Sequence, residues 1–263
     1  MKSRNTFLVL LVGLLVCLLA AAHPQEQASS LSKGIALYNS GDTEAAIRVL
    51  REVVKKSNKD SKAWHYLGLA LVQKGDTKEA TGVFRKAIDL RSKKLEEMFD
   101  WKDGELRDQQ VSDLQTLLDD QIESQSKLLE LLADQRAREG VQLNAETLKV
   151  QSDCVKQNVK VGMDGHRVLR KGDLEMKRAR ILSRPEPEFP VEARRAQVTG
   201  IVIIKGIFAA DGSVKFLESF KSDDSRLVGE SLKAAASIRF RPASVCGKPV
   251  SIPLHVEYSF SLY

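Results

Sequence analysis

A spacing of 34 residues governs the first third of the chain. Gly41-Asp42-Thr43 recurs as Gly75-Asp76-Thr77, and the same offset carries Gly34 to Gly68, Ala36 to Ala70, Leu37 to Leu71, Ala46 to Ala80 and Arg51 to Arg85. Self-similarity at such a period means stacked supersecondary units, none of which buries its apolar face alone. Each unit reads as a helix, a tight Gly-Asp turn and a second helix opened by Thr43 or Thr77. Glycine takes the left-handed or close-contact turn position. Ala46 and Ala80 are small enough to let the paired helices approach.

In the second unit Trp64, Leu67, Gly68, Leu71, Ala80, Phe84 and Ala87 resemble the pattern of the tetratricopeptide repeat. In the first, Ser30 and Lys33 stand where Trp and Leu are usual, and neither unit closes on the usual Pro. The resemblance implies two repeats over 29–101 that offer a concave groove to a peptide or protein of unknown identity. Its lining would be Ile35, Tyr38 and Asn39 from the first unit and His65, Leu69, Val72 and Gln73 from the second. The alternative is that these side chains pack against the next helix. Because about three repeats are needed to close a core, two of them require a cap.

The next segment offers one. Val111, Leu114, Leu118, Gln121, Gln125, Leu128, Leu132 and Gln135 follow a 3-4 spacing, the seam of a long helix over 104–139. It either caps the repeats or pairs as a coiled coil in a homodimer whose Gln residues fix the register. Residues 140–183 read as a basic linker, with nine basic and three acidic residues between Lys156 and Arg184. A short hairpin is expected from Asn158 to Val168, around Asp164-Gly165.

The N-terminus sets an expected address. Lys2 and Arg4 precede an apolar run from Thr6 to Ala22 that closes on Ala20-Ala21-Ala22. A basic start, an apolar stretch and small residues at the end make a secretory signal over 1–22, cleaved after Ala22. The alternative is an uncleaved inner-membrane anchor facing the periplasm, since roughly 17–25 residues can span. Without Lys2 and Arg4 the 263-residue chain keeps 39 basic and 35 acidic residues, net +4. Neither that balance nor 6% aromatic residues calls for nucleic acid. Cys154 and Cys246 remain after cleavage; in an oxidising compartment they form one bridge or stay buried thiols.

Pro185, Pro187 and Pro190 open the last module. A strand over 201–208, the Asp211-Gly212 turn, a returning strand over 214–220, a helix from Asp224 or Ser225 to Ser237 and a final strand give a β-β-α-β order. In the final strand Val250, Ile252, Leu254, Val256, Tyr258, Phe260 and Leu262 alternate with Ser251, Pro253, His255, Glu257, Ser259 and Ser261. Pro253 has no N–H, so this strand belongs at a sheet edge, where unpaired backbone groups accept an added strand unless Pro253 itself or dimerisation blocks it.

Arg184-Pro185-Glu186-Pro187-Glu188-Phe189-Pro190-Val191-Glu192-Ala193-Arg194, Val198-Thr199-Gly200-Ile201-Val202, Asp211-Gly212-Ser213-Val214 and Arg239-Phe240-Arg241-Pro242-Ala243 resemble the TonB C-terminal domain over 184–263. The resemblance implies that an outer-membrane TonB-dependent receptor adds a strand along Ile252, Leu254, Val256, Tyr258 and Phe260, with a second receptor contact at Phe189, Pro190 and Arg194. It also implies an ExbB–ExbD-type motor if the anchor is retained. The chain departs from the family in lacking a long Pro-rich spacer and in having neither Ser nor His between Thr6 and Ala22.

The reading is an α+β protein: helical hairpins and a long helix, then a small β-β-α-β module. No Gly-x-Ser-x-Gly, metal-ligand spacing or His-centred constellation is present, so no catalytic residue, cofactor or metal is expected. The expected function is protein binding in TonB-dependent transport, or alternatively a periplasmic adaptor that transduces no energy.

Overall fold

A computed structural model of the chain describes residues 30–100 and 104–262. The architecture is α+β, in two compact units, one ending at Lys94 and the other beginning at Leu95. The export signal expected over 1–22 lies outside the described residues.

The first unit is built of helices. Residues 30–39 form α1, followed by α2 (Thr43–Lys56), α3 (Ser61–Lys74) and the start of α4 (Thr77–Phe99). Gly41 and Gly75 turn the chain at φ +83° and +91°, a region that favours glycine. The aspartate after each glycine caps the next helix: Asp42 accepts from the Ala45 N–H at 3.2 Å, Asp76 from the Glu79 N–H at 3.1 Å. Ala46, Ile47, Leu50, Ala63, Leu67, Ala70, Leu71, Ala80, Val83, Phe84 and Ala87 are buried, the apolar stripes that the 34-residue period predicts.

The second unit differs from the long helix and linker that the sequence suggests. Residues 105–107 are a strand, β1, and α5 (Asp108–Leu131) stops where Leu132 turns extended. Asp134 then accepts from the Ala137 N–H at 2.6 Å and starts α6 (Gln135–Asn158). The expected helix over 104–139 is therefore two helices, and much of the expected linker is the second. Val111, Leu114, Leu117 and Leu118 of α5 share a core with Leu148 and Val155 of α6. That half of the Leu seam is thus already covered within the chain.

β2 (Lys160–Val161) and β3 (Arg167–Arg170) form the hairpin around Asp164-Gly165, and β1 joins in the order β1-β3-β2. After β4 (Arg180–Ser183), the short α7 (Val191–Arg195) leads to β5 (Gly200–Phe208) and β6 (Val214–Ser222). Next come α8 (Val228–Ala236), β7 (Arg239–Arg241), β8 (Ala243–Val245), β9 (Lys248–Val250) and β10 (Ile252–Phe260). A sheet of order β10-β5-β6 packs Val202, Ile204, Leu254, Val256, Tyr258 and Phe260 against Leu227, Ala234, Ala235 and Ile238. Phe208 stacks on Phe240 with ring centroids 4.0 Å apart. The β8–β9 hairpin contributes Ala243, Val245 and Val250 to the core of α5 and α6 instead, and Cys154 of α6 is disulfide-bonded to Cys246 in its turn.

Candidate functional site

Among the described residues, β10 pairs with β5 alone, over nine consecutive residue pairs from Ile252–Phe208 to Phe260–Gly200 without a bulge. Its other side is an edge. The opposite edge, β6, is interrupted twice where the register slips against β5, and bulges of this kind blunt an edge against pairing. Both edge strands are nine residues long, and β10 is the one paired without a bulge.

Which backbone groups face outward follows from two contacts. The Asp223 N–H donates to the Ile201 carbonyl at 3.1 Å, so Ile201 faces the β6 side. By the two-residue alternation of a strand, Val202, Ile204 and Gly206 face β10. Their partners Tyr258, Val256 and Leu254 point their backbone groups inward at β5. The outward set is Pro253, His255, Glu257 and Ser259, and the Glu257 carbonyl is indeed met from outside by the Arg184 guanidinium. Pro253 sits where its missing N–H costs the ladder nothing.

This corrects the residues expected to bind the strand. The side chains of Leu254, Val256, Tyr258 and Phe260 are buried and Ile252 half-buried, while their backbones are turned to β5. They hold the domain together. The backbone groups left open on the outer side of β10 belong to His255, Glu257 and Ser259. The sequence carried the signal, because the position of Pro253 sets the outward parity.

Both ends of the edge are occupied from within the chain. Thr147 of α6 donates its hydroxyl to the Ser251 carbonyl at 3.1 Å and accepts from the Ser251 N–H at 3.1 Å. At the other end the Arg184 guanidinium carbon lies 5.0 Å from the centre of the Tyr258 ring. Burial pushes the Tyr258 phenol up, against the pull of the Arg184 charge and of its hydrogen bond. Neither Thr147 nor Arg184 was legible as a site residue from the sequence pattern.

Phe189 lies edge-on to Phe260, centroids 5.5 Å apart, with the Arg194 guanidinium 5.4 Å from the Phe189 ring. Pro190 is the cap residue of α7. These three residues form one patch beside the end of β10. His255, on the open face of the sheet, stands edge-on to the exposed Phe220 at 6.3 Å.

In the first unit, Asn39 and Gln73 are exposed and Ile35, Tyr38, Leu69 and Val72 half-buried. Tyr38 meets Tyr66 edge-on at 5.9 Å. Gln73 accepts a hydrogen bond from the Thr43 hydroxyl at 2.9 Å, which ties α3 to α2. His65 departs from the expected groove: it is 3% exposed and packs against Phe84 at 5.9 Å. Burial, with help from the Arg91 and Lys62 charges, pushes its imidazole down to about 4. It is a neutral core residue. Among the described residues no group of three metal-ligating side chains occurs, and no helix is long and apolar enough to cross a membrane.

Residues 185–262 match the family model of the Gram-negative bacterial TonB protein C-terminal region, and 31–94 match a tetratricopeptide-repeat model. Similar solved structures include the TonB C-terminal domain of Pseudomonas aeruginosa, at 23% identity over 34% of this chain and 95% of that one, TM-score 0.29. Another is the type III secretion translocator chaperone SycD of Yersinia enterocolitica, at 18% identity over 48% of this chain and 84% of that one, TM-score 0.26. A third, an O-GlcNAc transferase mutant from Thermobaculum terrenum, is 18% identical over 51% of this chain and 26% of that one, TM-score 0.26. No curated relative matches the chain. The chain carries tetratricopeptide repeats followed by a TonB C-terminal domain, and both are non-catalytic protein-interaction modules.

Proposed function

We propose, for a chain that joins these two modules, a cell-envelope protein that takes an extended segment of an outer-membrane receptor as an added strand on β10. The unbulged, one-sided edge of β10 carries this reading. An added strand gains its affinity from main-chain hydrogen bonds and its specificity from alternate side chains. Phe189, Pro190 and Arg194 would flank the segment where it leaves the edge. The repeats hold a second protein or peptide in the groove between Tyr38, Leu69 and Val72. Export through residues 1–22 would place both modules in the periplasm.

Within that role we favour an adaptor over an energy transducer. The β8–β9 hairpin is fixed to α6 by the Cys154–Cys246 disulfide and by a common core. The TonB-like domain is thus fastened to a helical base rather than carried on a flexible spacer. No force need travel through such a mount for it to bring two partners together.

The test uses the full chain and synthetic ten-residue peptides taken from the N-termini of the outer-membrane receptors of the source organism. His255→Pro removes an outward N–H and leaves the ladder to β5 intact, as Pro253 already does two residues earlier. Peptide binding to the wild type that His255→Pro abolishes is the expected result. Equal binding by both proteins would rule out strand addition at this edge.

A further inference from the structure

The edge is not empty in the free protein. Arg184 follows β4, whose strand is anchored to β7, and precedes Pro185, Pro187 and Pro190, which restrict the backbone behind it. Its guanidinium does two things at once. It donates to the Glu257 carbonyl, one of the outward acceptors of the open edge, and it covers the face of the Tyr258 ring. The first is the contact that the N–H of an added strand would make. The second is the position that a side chain of that strand, on the core side, would fill. Beneath it lies the buried Tyr258 side chain.

The other end of the edge is closed differently. Thr147 satisfies both backbone groups of Ser251, and Pro253 offers no donor. The stretch that remains is short, running from His255 to Ser259.

We propose that Arg184 is a placeholder for the partner strand, and that the partner is an extended segment of about five residues, entering opposite His255. It displaces Arg184 from the Glu257 carbonyl with its own backbone N–H and sets an apolar or aromatic side chain over Tyr258. This rests on the strand-addition reading above. The contact is solvent-exposed, so it resists displacement only modestly. Removing it relieves the competition and tightens binding by about five-fold.

The experiment titrates the same receptor-derived peptides, fluorescently labelled, against full-length wild type, Arg184→Ala and Arg184→Gln. Near-ultraviolet circular dichroism verifies that each variant is folded, and Arg184→Gln serves if the alanine variant is not. Both variants should bind about five-fold more tightly than the wild type, with His255→Pro still abolishing binding in the Arg184→Gln background. Wild-type binding that the variants leave unchanged or weaken would overturn the placeholder and spare the strand-addition reading. Absence of binding by the wild type and the variants alike would overturn both. Among peptides that bind, those with an apolar or aromatic residue facing Tyr258 should bind best; a preference for charged residues there contradicts the assigned partner chemistry.

Discussion

A Cβ built on Gly68 would lie 2.9 Å from the ring of Phe84. The missing side chain is what lets α3 settle on α4, and a methyl group there has no room unless the buried ring moves. Gly68→Ala should destabilise the first unit by about 1–3 kcal/mol through overpacking. Gly82, exposed on α4 with nothing within 4 Å of its Cβ position, is the control. Gly82→Ala should stabilise by about 0.5–1 kcal/mol through helix propensity. Urea unfolding followed by helical circular dichroism checks both signs.

The disulfide closes a loop with a sequence separation of 92 residues. In the chain-entropy model such a bridge contributes on the order of 4 kcal/mol, which corresponds to roughly 10 °C in Tm for a unit of this size. Thermal unfolding with and without reductant should show that drop, and Cys154→Ser with Cys246→Ser should reproduce it. A Tm that ignores reductant would mean the bridge adds nothing. Mass spectrometry after alkylation without reductant should find neither thiol free.

His65 makes stability depend on pH. Its folded-state value of about 4 lies below the ordinary value of 6.5, so the unfolded chain takes up the proton first as pH falls. The neutral imidazole costs nothing above pH 6.5, and stability is lost progressively between about pH 6.5 and 4, by roughly 3 kcal/mol in full. The urea midpoint of the first unit should fall across that window. In His65→Gln the fall should be much shallower. Asp224, held down to about 2 by Arg226, titrates below the window and does not mimic the effect.

The repeats were legible because their period is written in residues that packing demands: Gly where a turn goes left-handed, Ala where helices touch, an apolar position on each buried face. Helix α6 was not. Its buried side is Leu148, Ser152, Cys154 and Val155, too short and too polar to stand out from Lys and Arg residues that a charge count reads as linker. The end of α5 was hidden likewise, since the 3-4 spacing runs on to Gln135 across a break that only the Asp134 cap reveals. In β10 the alternation gave the buried face at once. It gave the lateral direction of the backbone only through Pro253, and the contacts of Arg184 and Thr147, which cross 73 and 104 residues, follow from no local pattern.

Amide hydrogen exchange on the full chain, with and without a bound receptor-derived peptide, tests the central claim most directly. The amides of Leu254 and Val256, already laddered to β5, should keep their rates. Those of His255, Glu257 and Ser259 should slow on binding, an alternation that only a strand added to the outer edge of β10 produces. Protection that appears on β4 or β6 instead, or that leaves β10 unchanged, would contradict the account.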